Sequence, residues 1–180
     1  MRRNVDITYL VHDNQVYGLT KGQTSPTSEK GYVSKTTPWG STNPPENPLL
    51  LAIAADCSVV ARGFTGDSPH LIQLIREGIR NKGFSFIDIL QPCVSFNRVN
   101  TFQWYNSRVY RIEEEEGYDA SDRMSAFNKA QEWGERIPIG VLYRSARPTR
   151  EEQEPVIRAC SLVRQPVEPN SFPKLLEAFK

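Results

Sequence analysis

The sequence predicts an α/β fold with a mostly parallel sheet that is flanked by helices. Three apolar segments (5–12, 58–62 and 84–90) have the composition of buried strands. Two segments with helix start signals (47–55 and 68–82) separate them, with short connections from residue 47 onward. Strands that alternate with helices are typical of a parallel sheet covered on both faces. Ligands of such sheets bind at the carboxyl ends of the strands.

A long loop follows the first predicted strand. That strand begins almost at residue 1, which is unusual for a central strand and which we interpret as the sign of an absent lead-in segment. Residues 18–48 then contain four glycines and five prolines among many serines and threonines. A loop of this length in a compact domain is usually functional, so we expect it to serve a binding site.

Both helices of this half begin with recognisable capping residues. Asn47 is the expected N-cap of the first helix, and Pro48 occupies its first position. Ser68 is the expected N-cap of the second helix, which Gly83 ends. The apolar residues Leu71, Ile72, Ile75 and Ile79 form one stripe along the second helix.

The second half of the chain predicts shorter elements. They are a helix followed by an extended piece within 100–112, a solvated acidic loop at 113–116, a helix within 120–133, a strand at 139–143 and a short helix at 174–179. We therefore divide the chain into a domain of residues 1–112 and a C-terminal helical and extended tail of residues 113–180. The tail is expected to pack on the domain or on a partner subunit.

The composition argues against several functions. The 22 Lys and Arg nearly balance the 21 Asp and Glu, so charge gives no reason to expect a nucleic-acid or membrane partner. No segment reaches the ~20 apolar residues of a membrane span, and no signal peptide is recognisable, so we expect a cytoplasmic protein. The sequence also lacks the glycine motifs of dinucleotide and P-loop sites and the nucleophile elbow of hydrolases.

The segment 13–20, at the end of the first strand, is the first candidate site. The amide oxygen of Asn14 and the backbone carbonyl of Val16 can face one cation from a tight bend, and Mg²⁺ prefers oxygen ligands. Gly18 allows the backbone to approach a phosphate, and Thr20 offers a hydroxyl group. An ordinary turn without a ligand is the alternative.

Cys93, after the strand at 84–90, is the second candidate. Pro92 fixes the backbone ahead of the thiol, which could bind an iron–sulfur cluster. The alternative is a small buried apolar side chain, the usual environment of a free cysteine, and this environment is expected for Cys57 and Cys160. Three separated cysteines without a C-x-x-C pair favour neither a disulfide framework nor a complete zinc or iron–sulfur site.

The chain has only two histidines. His12, at a strand end, is expected to make a polar contact near the site. His70, in the first turn of a helix, is expected at a cap or on the surface. Neither is accompanied by the nucleophile and acid that hydrolysis requires.

Eight short motifs occur in order over residues 2–93. They are RRNVDIT (2–8), DNQVYGLTKGQ (13–23), SPT (25–27), KTTP (35–38), NP (47–48), ARGF (61–64), KGF (82–84) and DILQPC (88–93), and IPIGV follows at 137–141. Together they resemble the β subunits of 2-oxoacid:ferredoxin oxidoreductases. The resemblance implies part of a thiamine-diphosphate-binding domain. It also implies oxidative decarboxylation of a 2-oxoacid to acyl-CoA, with coenzyme A as acyl acceptor and electrons passed to ferredoxin.

The resemblance also implies roles for individual residues. The positions of Asn14 and Val16 bind the Mg²⁺ that holds the diphosphate, the latter through its carbonyl. The positions from Gly18 to Thr20 lie beside the diphosphate, and the position of Leu19 lies near the substrate.

Some parts of the family site have no counterpart in this sequence. Cys93 matches the last of four ligands of a [4Fe–4S] cluster, and the other three cysteines belong to a preceding part of the family. The family's Gly-Asp-Gly sequence, whose Asp binds Mg²⁺, would fall before Met1. The Glu that activates the thiamine ring is expected on the partner α subunit. We therefore expect the isolated chain to be inactive. A truncated or split remnant without cofactor binding and a flavodoxin-like binding module are the alternatives.

Overall fold

The computed structural model describes residues 1–166 and 171–177, and it contains a five-stranded mixed sheet. Its strands are β1 (Thr8–Asp13), β4 (Val59–Phe64), β5 (Ser85–Leu90), β6 (Val109–Arg111) and β7 (Ile137–Arg144), and β2 (Val16–Tyr17) with β3 (Gln23–Thr24) forms a separate hairpin. The order across the sheet is β1-β5-β4-β7-β6. Among these five strands only the pairing of β4 with β7 is antiparallel, so the predicted mostly parallel α/β fold is confirmed.

The predicted caps of the two first helices have different outcomes. Helix α1 (Pro48–Ala54) begins as expected, because the side chain of Asn47 accepts two backbone N–H bonds. Helix α2 (Ser68–Arg80) is capped by Asp67, so the prediction of Ser68 was wrong. The Asp67 carboxylate accepts the N–H of His70, whereas the Ser68 hydroxyl donates back to the carbonyl of Thr65.

The two faces of the sheet pack against different helices. Alternate residues of a strand point to opposite faces. Helix α2 covers the face formed by Val59, Ala61, Ile87 and Ile89. Helices α1 and α4 (Arg123–Gln131) cover the opposite face, where Val60 and Phe86 contact Leu49, Ile53 and Ala126. Both faces are therefore buried, as the apolar strands predict.

The second half adds two strands to the same sheet. Helix α3 (Phe102–Asn106) precedes β6, which confirms the predicted helix and extended piece, and the predicted strand at 139–143 lies within β7. The helices α5 (Arg150–Gln153), α6 (Pro155–Arg158) and α7 (Ser171–Glu177) follow. Helix α7 covers part of the helix predicted at 174–179, of which residues 178 and 179 lie outside the described residues. No helix in the described ranges is long and apolar enough to cross a membrane.

The acidic segment 113–116 is not a purely solvated loop. It begins in a 3-10 turn (Ile112–Glu114) beside β7. One carboxylate oxygen of Glu113 accepts the backbone N–H of Val141, and the other lies 3.5 Å from Nε2 of His70. The acidic run suggested solvent, but Glu113 connects β7 to helix α2.

Candidate cofactor site

A tight bend follows β1 at Asn14, and both the cation-site interpretation and the ordinary-turn alternative are compatible with it. The Asn14 side-chain oxygen accepts the N–H of Val16 at 3.1 Å. Gln15 has the left-handed backbone conformation, with a φ of 55°, which is uncommon for a residue with a side chain. The bend therefore places the Asn14 amide oxygen on the N–H of Val16. This oxygen and the carbonyl of Val16 are the two groups of the bend that could contribute oxygen ligands to a cation.

Two residues of the long loop contribute hydrogen bonds that hold this bend. Oδ1 of Asp13 accepts the N–H of Gln15 at 3.1 Å and the hydroxyl of Thr27 at 2.6 Å. The hydroxyl of Ser28 donates to the carbonyl of Gln15 at 2.6 Å. Thr27 and Ser28 belong to the long loop, whose predicted functional role is thus connected to the candidate site by direct contacts.

The hairpin of β2 and β3 contacts the loop that follows Cys93. The N–H of Gly22 donates to the carbonyl of Tyr17 and closes the turn between the two strands. Gly22 has a φ of +97°, and a Cβ atom at this position would lie 2.9 Å from the ring of Phe96. Glycine is thus required both by the backbone conformation and by the close approach of the aromatic ring.

The structure brings three of the predicted site residues together. A Cβ atom built on Gly18 would lie 3.7 Å from Nδ2 of Asn14 and 3.8 Å from Sγ of Cys93. Leu19 is fully exposed, and the Thr20 hydroxyl donates to the side chain of Gln23. Gly18 is thus close to both the candidate cation ligand and the candidate cluster thiol.

The remaining cysteines and histidines have mixed outcomes. Cys57 is fully buried, as predicted. Cys160 is only partly buried and lies after the end of helix α6 at Arg158, so its predicted position in the core and in a helix was wrong. His12 makes the expected polar contact, with Oε1 of Gln91 at 2.6 Å. His70 is buried beside Glu113, so its predicted capping or surface position was wrong.

A buried group of charges beneath the bend was not predicted. The strand register places Arg62 of β4 opposite Asp88 of β5, and Nε of Arg62 lies 3.7 Å from Oδ2 of Asp88. Both residues are 2% exposed. Together with Asp13 they line a cavity of about 280 Å³ that extends to Asn47 and Trp133. The signal was present in the sequence as one charged residue inside each of two otherwise apolar strands.

Burial shifts the titration of these carboxyl groups. The pKa of Asp88 is raised to about 7 by burial and by the neighbouring charge of Asp13, against the opposing effect of Arg62. Burial also raises the pKa of Asp13, and the hydrogen bond from Thr27 opposes that shift. The buried cluster of Arg62, Asp88 and Asp13 therefore retains a proton on a carboxyl group at a pH where surface carboxyl groups are ionised.

The side chains fit a shared cofactor site better than a self-sufficient one. Asn14 and Val16 offer two oxygen donors for Mg²⁺, fewer than its octahedral shell needs. Gly18 lacks the Cβ atom that would separate a phosphate from the backbone. Cys93 offers one thiolate, whereas a cluster commonly takes four, and the described residues contain no group of three or more His, Cys, Asp or Glu able to hold a metal.

Two family models match most of the chain. Residues 1–89 match the model described as "Thiamine pyrophosphate enzyme, C-terminal TPP binding domain". Residues 93–159 match the model that describes the C-terminal part of the pyruvate ferredoxin oxidoreductase beta subunit. With the sheet and the bend described above, these matches define the class: an α/β domain of the thiamine-pyrophosphate-binding type.

Individual relatives narrow this class to one family. The chain is 41% identical over 174 residues to the 2-oxoacid:ferredoxin oxidoreductase subunit beta of Saccharolobus solfataricus, covering 92% of this chain and 57% of that protein. It is 44% identical over 97 residues to the 2-oxoglutarate oxidoreductase subunit KorB of Mycobacterium tuberculosis, covering 54% of this chain and 26% of that protein. The chain belongs to the family of 2-oxoacid:ferredoxin oxidoreductase β subunits.

A solved structure supports the same assignment. The 2-oxoglutarate:ferredoxin oxidoreductase from Magnetococcus marinus, with 2-oxoglutarate, coenzyme A and succinyl-CoA bound, superposes with a TM-score of 0.86 at 34% identity. The match covers 99% of this chain and 60% of that chain. Where a match covers most of this chain, it covers just over half of the relative. The chain thus spans just over half the length of these relatives.

Proposed function

We propose that this chain supplies part of the Mg²⁺–thiamine diphosphate site of a 2-oxoacid:ferredoxin oxidoreductase, which converts a 2-oxoacid and coenzyme A to acyl-CoA and reduces ferredoxin. The observation that carries the proposal is the convergence of Asn14, Gly18 and Cys93 at the carboxyl ends of β1 and β5. This edge of a parallel sheet is where α/β folds bind their ligands.

Each residue of the bend has a distinct role in this proposal. The Asn14 amide oxygen and the Val16 carbonyl would hold the Mg²⁺ ion, whose charge would offset that of the diphosphate. Gly18 and Thr20 lie beside the diphosphate, where a hydroxyl group can donate a hydrogen bond. Leu19 is fully exposed in the chain, and we assign it to contact with the substrate in a site that the α subunit completes. Bound thiamine diphosphate supplies the chemistry of decarboxylation.

Cys93 connects this site to electron transfer. We propose that its thiolate is one ligand of a [4Fe–4S] cluster whose other ligands lie outside this chain. A Cβ atom built on Gly18 would lie 3.8 Å from Sγ of Cys93, so the residue that would hold the cluster is close to the residue that would lie beside the diphosphate. A cluster bound there would supply electron-transfer chemistry, with ferredoxin as the proposed acceptor. The α subunit is the proposed partner that provides the Glu for activation of the thiamine ring.

The test is reconstitution of the complete enzyme. The chain is assembled with the α subunit and the preceding β-subunit portion of the Saccharolobus solfataricus relative, and ferredoxin reduction is measured with a 2-oxoacid and coenzyme A. We expect activity that Asn14→Ala abolishes, and a cluster signal in electron paramagnetic resonance that Cys93→Ala abolishes. The control is Asn128→Ala, on the exposed face of helix α4. An assembled complex without activity would favour the inactive-remnant alternative.

A further inference from the structure

We infer that Ser28 is a positioning residue for the Mg²⁺ ligands, an inference that rests on the proposed function. Ser28 is 2% exposed, and its hydroxyl donates to the carbonyl of Gln15 at 2.6 Å. It is thirteen positions away from Gln15 in the sequence. The long loop therefore reaches back to the bend through one buried hydrogen bond.

The peptide unit between Gln15 and Val16 explains why this bond matters. A peptide unit is planar, so its C=O and N–H groups turn together. The C=O is held by Ser28, and the N–H donates to the side-chain oxygen of Asn14. Rotation of this plane would break the contact with Asn14. The hydroxyl of Ser28 thus sets the direction of the Asn14 amide, whose oxygen keeps a second lone pair for the cation.

The Ser28 hydroxyl is itself fixed. It accepts the N–H of Ser25 at 2.9 Å, and the N–H of Ser28 donates to the carbonyl of Ser25 at 3.1 Å. The adjacent Thr27 donates to Asp13, which in turn accepts the N–H of Gln15. One short turn of the loop, residues 25–28, therefore holds the C=O of Gln15 directly, through Ser28, and its N–H indirectly, through the contact of Thr27 with Asp13.

This arrangement stabilises a conformation that the chain would otherwise leave. The left-handed conformation is disfavoured for a residue with a side chain relative to an extended or helical one, and Gln15 has a φ of 55°. Without Ser28, the bend is expected to populate other conformations in the absence of the cofactor. Cofactor binding would then have to restore the productive one, and the affinity would fall by the fraction of molecules that are competent.

Ser85 is a matched control for this inference. It is fully buried, and its hydroxyl donates to the carbonyl of Gly78 at 3.0 Å. It begins β5, so it lies at the amino end of this strand, whereas the candidate site lies at the carboxyl end. Ser28→Ala and Ser85→Ala thus each remove one buried hydroxyl bonded to a backbone carbonyl, but only Ser28→Ala affects the bend.

The experiment is a titration of Mg²⁺ and thiamine diphosphate into the complex assembled with the α subunit and the remaining β-subunit portion, with thermal unfolding measured in parallel. We expect Ser28→Ala to raise the Kd about tenfold, equivalent to about 1.4 kcal/mol, and Ser85→Ala to change it less than about twofold. Both variants are expected to lower the Tm. Equal Kd changes in the two variants, or an unchanged Kd for Ser28→Ala, would overturn the inference.

A second Ser28 variant and a comparison with the unsubstituted complex complete the experiment. If Ser28→Ala does not fold, Ser28→Cys replaces it, because a thiol is a weaker donor of similar size. This variant is expected to raise the Kd about threefold, equivalent to about 0.7 kcal/mol, and an unchanged value would overturn the inference. Cofactor binding by the unsubstituted complex distinguishes failure of the proposed function from failure of the positioning role of Ser28. If it does not bind the cofactor, the proposed function fails, whereas normal binding with an unaffected Ser28 variant contradicts the positioning role alone.

Discussion

We predict that Asp88 makes the stability of this fold depend on pH in an unusual direction. The residue is 2% exposed and lies between Arg62 and Asp13. Burial and the charge of Asp13 raise its pKa from 3.8 to about 7. A carboxyl group whose pKa is raised on folding is protonated more strongly in the folded chain than in the unfolded chain. The folded state is therefore favoured by acid over the range between these two pKa values.

The size of the effect follows from proton linkage. Between pH 4 and pH 7 the folded chain holds up to one additional proton at Asp88, and one proton changes the free energy of unfolding by about 1.4 kcal/mol per pH unit. This contribution is fully present below the unfolded pKa and is lost as the pH rises through the folded pKa. We expect it to fall by about 3 kcal/mol from pH 5 to pH 8.

Urea unfolding of the chain and of Asp88→Asn at pH 5, 6, 7 and 8 measures this contribution. The variant keeps the shape of the side chain but cannot titrate, so the difference between the two curves reports Asp88 together with its interaction with Asp13 and cancels the carboxyl groups elsewhere. From pH 5 to pH 8, we expect the free energy of unfolding of the variant to rise by about 3 kcal/mol relative to that of the unsubstituted chain. The control, exposed Glu116→Gln, should run parallel to the unsubstituted chain. A parallel course for Asp88→Asn would refute the reasoning.

Two substitutions remote from Asp88 test other features of the fold. Asn4→Ala is expected to lower the free energy of unfolding by at least about 3 kcal/mol, because this fully buried side chain bonds to four partners and an unsatisfied buried group costs about 1–3 kcal/mol. Gly22→Ala is expected to cost about 2 kcal/mol or more, through its positive φ and the contact with Phe96. Urea unfolding measures both.

Each of these two substitutions has a control. Gly134 also has a positive φ, of +89°, but a Cβ atom there would meet nothing within 4 Å. Gly134→Ala should therefore show only the backbone part of the cost, and an equal loss for both glycines would contradict the role of Phe96. For Asn4→Ala, the control is the exposed Asn43→Ala. A loss below about 1 kcal/mol at Asn4 would show that its partners find water instead.

Local signals in the sequence predicted most of the first half of the fold. Asn47 and Pro48 specify the start of α1 through a cap and a fixed φ, which depend on neighbouring residues alone. The prediction of Ser68 as the N-cap of α2 was wrong because Asp67, one residue earlier, is an equally good cap and accepts the N–H of His70. Two adjacent capping residues give no local criterion for choosing between them.

The features of the fold that the sequence did not predict depend on tertiary contacts. Strand β7 pairs antiparallel with β4, although it is separated from it by more than 70 residues. His70 is buried because the turn that carries Glu113 packs against it, and no local pattern indicates that contact. The buried pair of Arg62 and Asp88 depends on the register of β4 and β5. A charged residue in a buried strand is the signal that could have predicted it, since buried charges are usually paired.

The candidate site was predicted from the order of short motifs more than from local chemistry. Asn14 alone is compatible with an ordinary turn, and Cys93 alone with a buried apolar side chain. The structure adds that Gly18 is close to both of them. The roles of Thr27 and Ser28 had no local signal, because their partners Asp13 and Gln15 lie more than ten residues away.

The affinity of the assembled complex for thiamine diphosphate, titrated at several Mg²⁺ concentrations, tests the central claim most directly. Isothermal titration calorimetry would compare the unsubstituted chain with Asn14→Ala and with the exposed Asn128→Ala. We predict that Asn14→Ala weakens binding at least about tenfold and raises the Mg²⁺ concentration required, while Asn128→Ala has no effect. Equal affinity of all three complexes would show that the bend after β1 does not hold the cation.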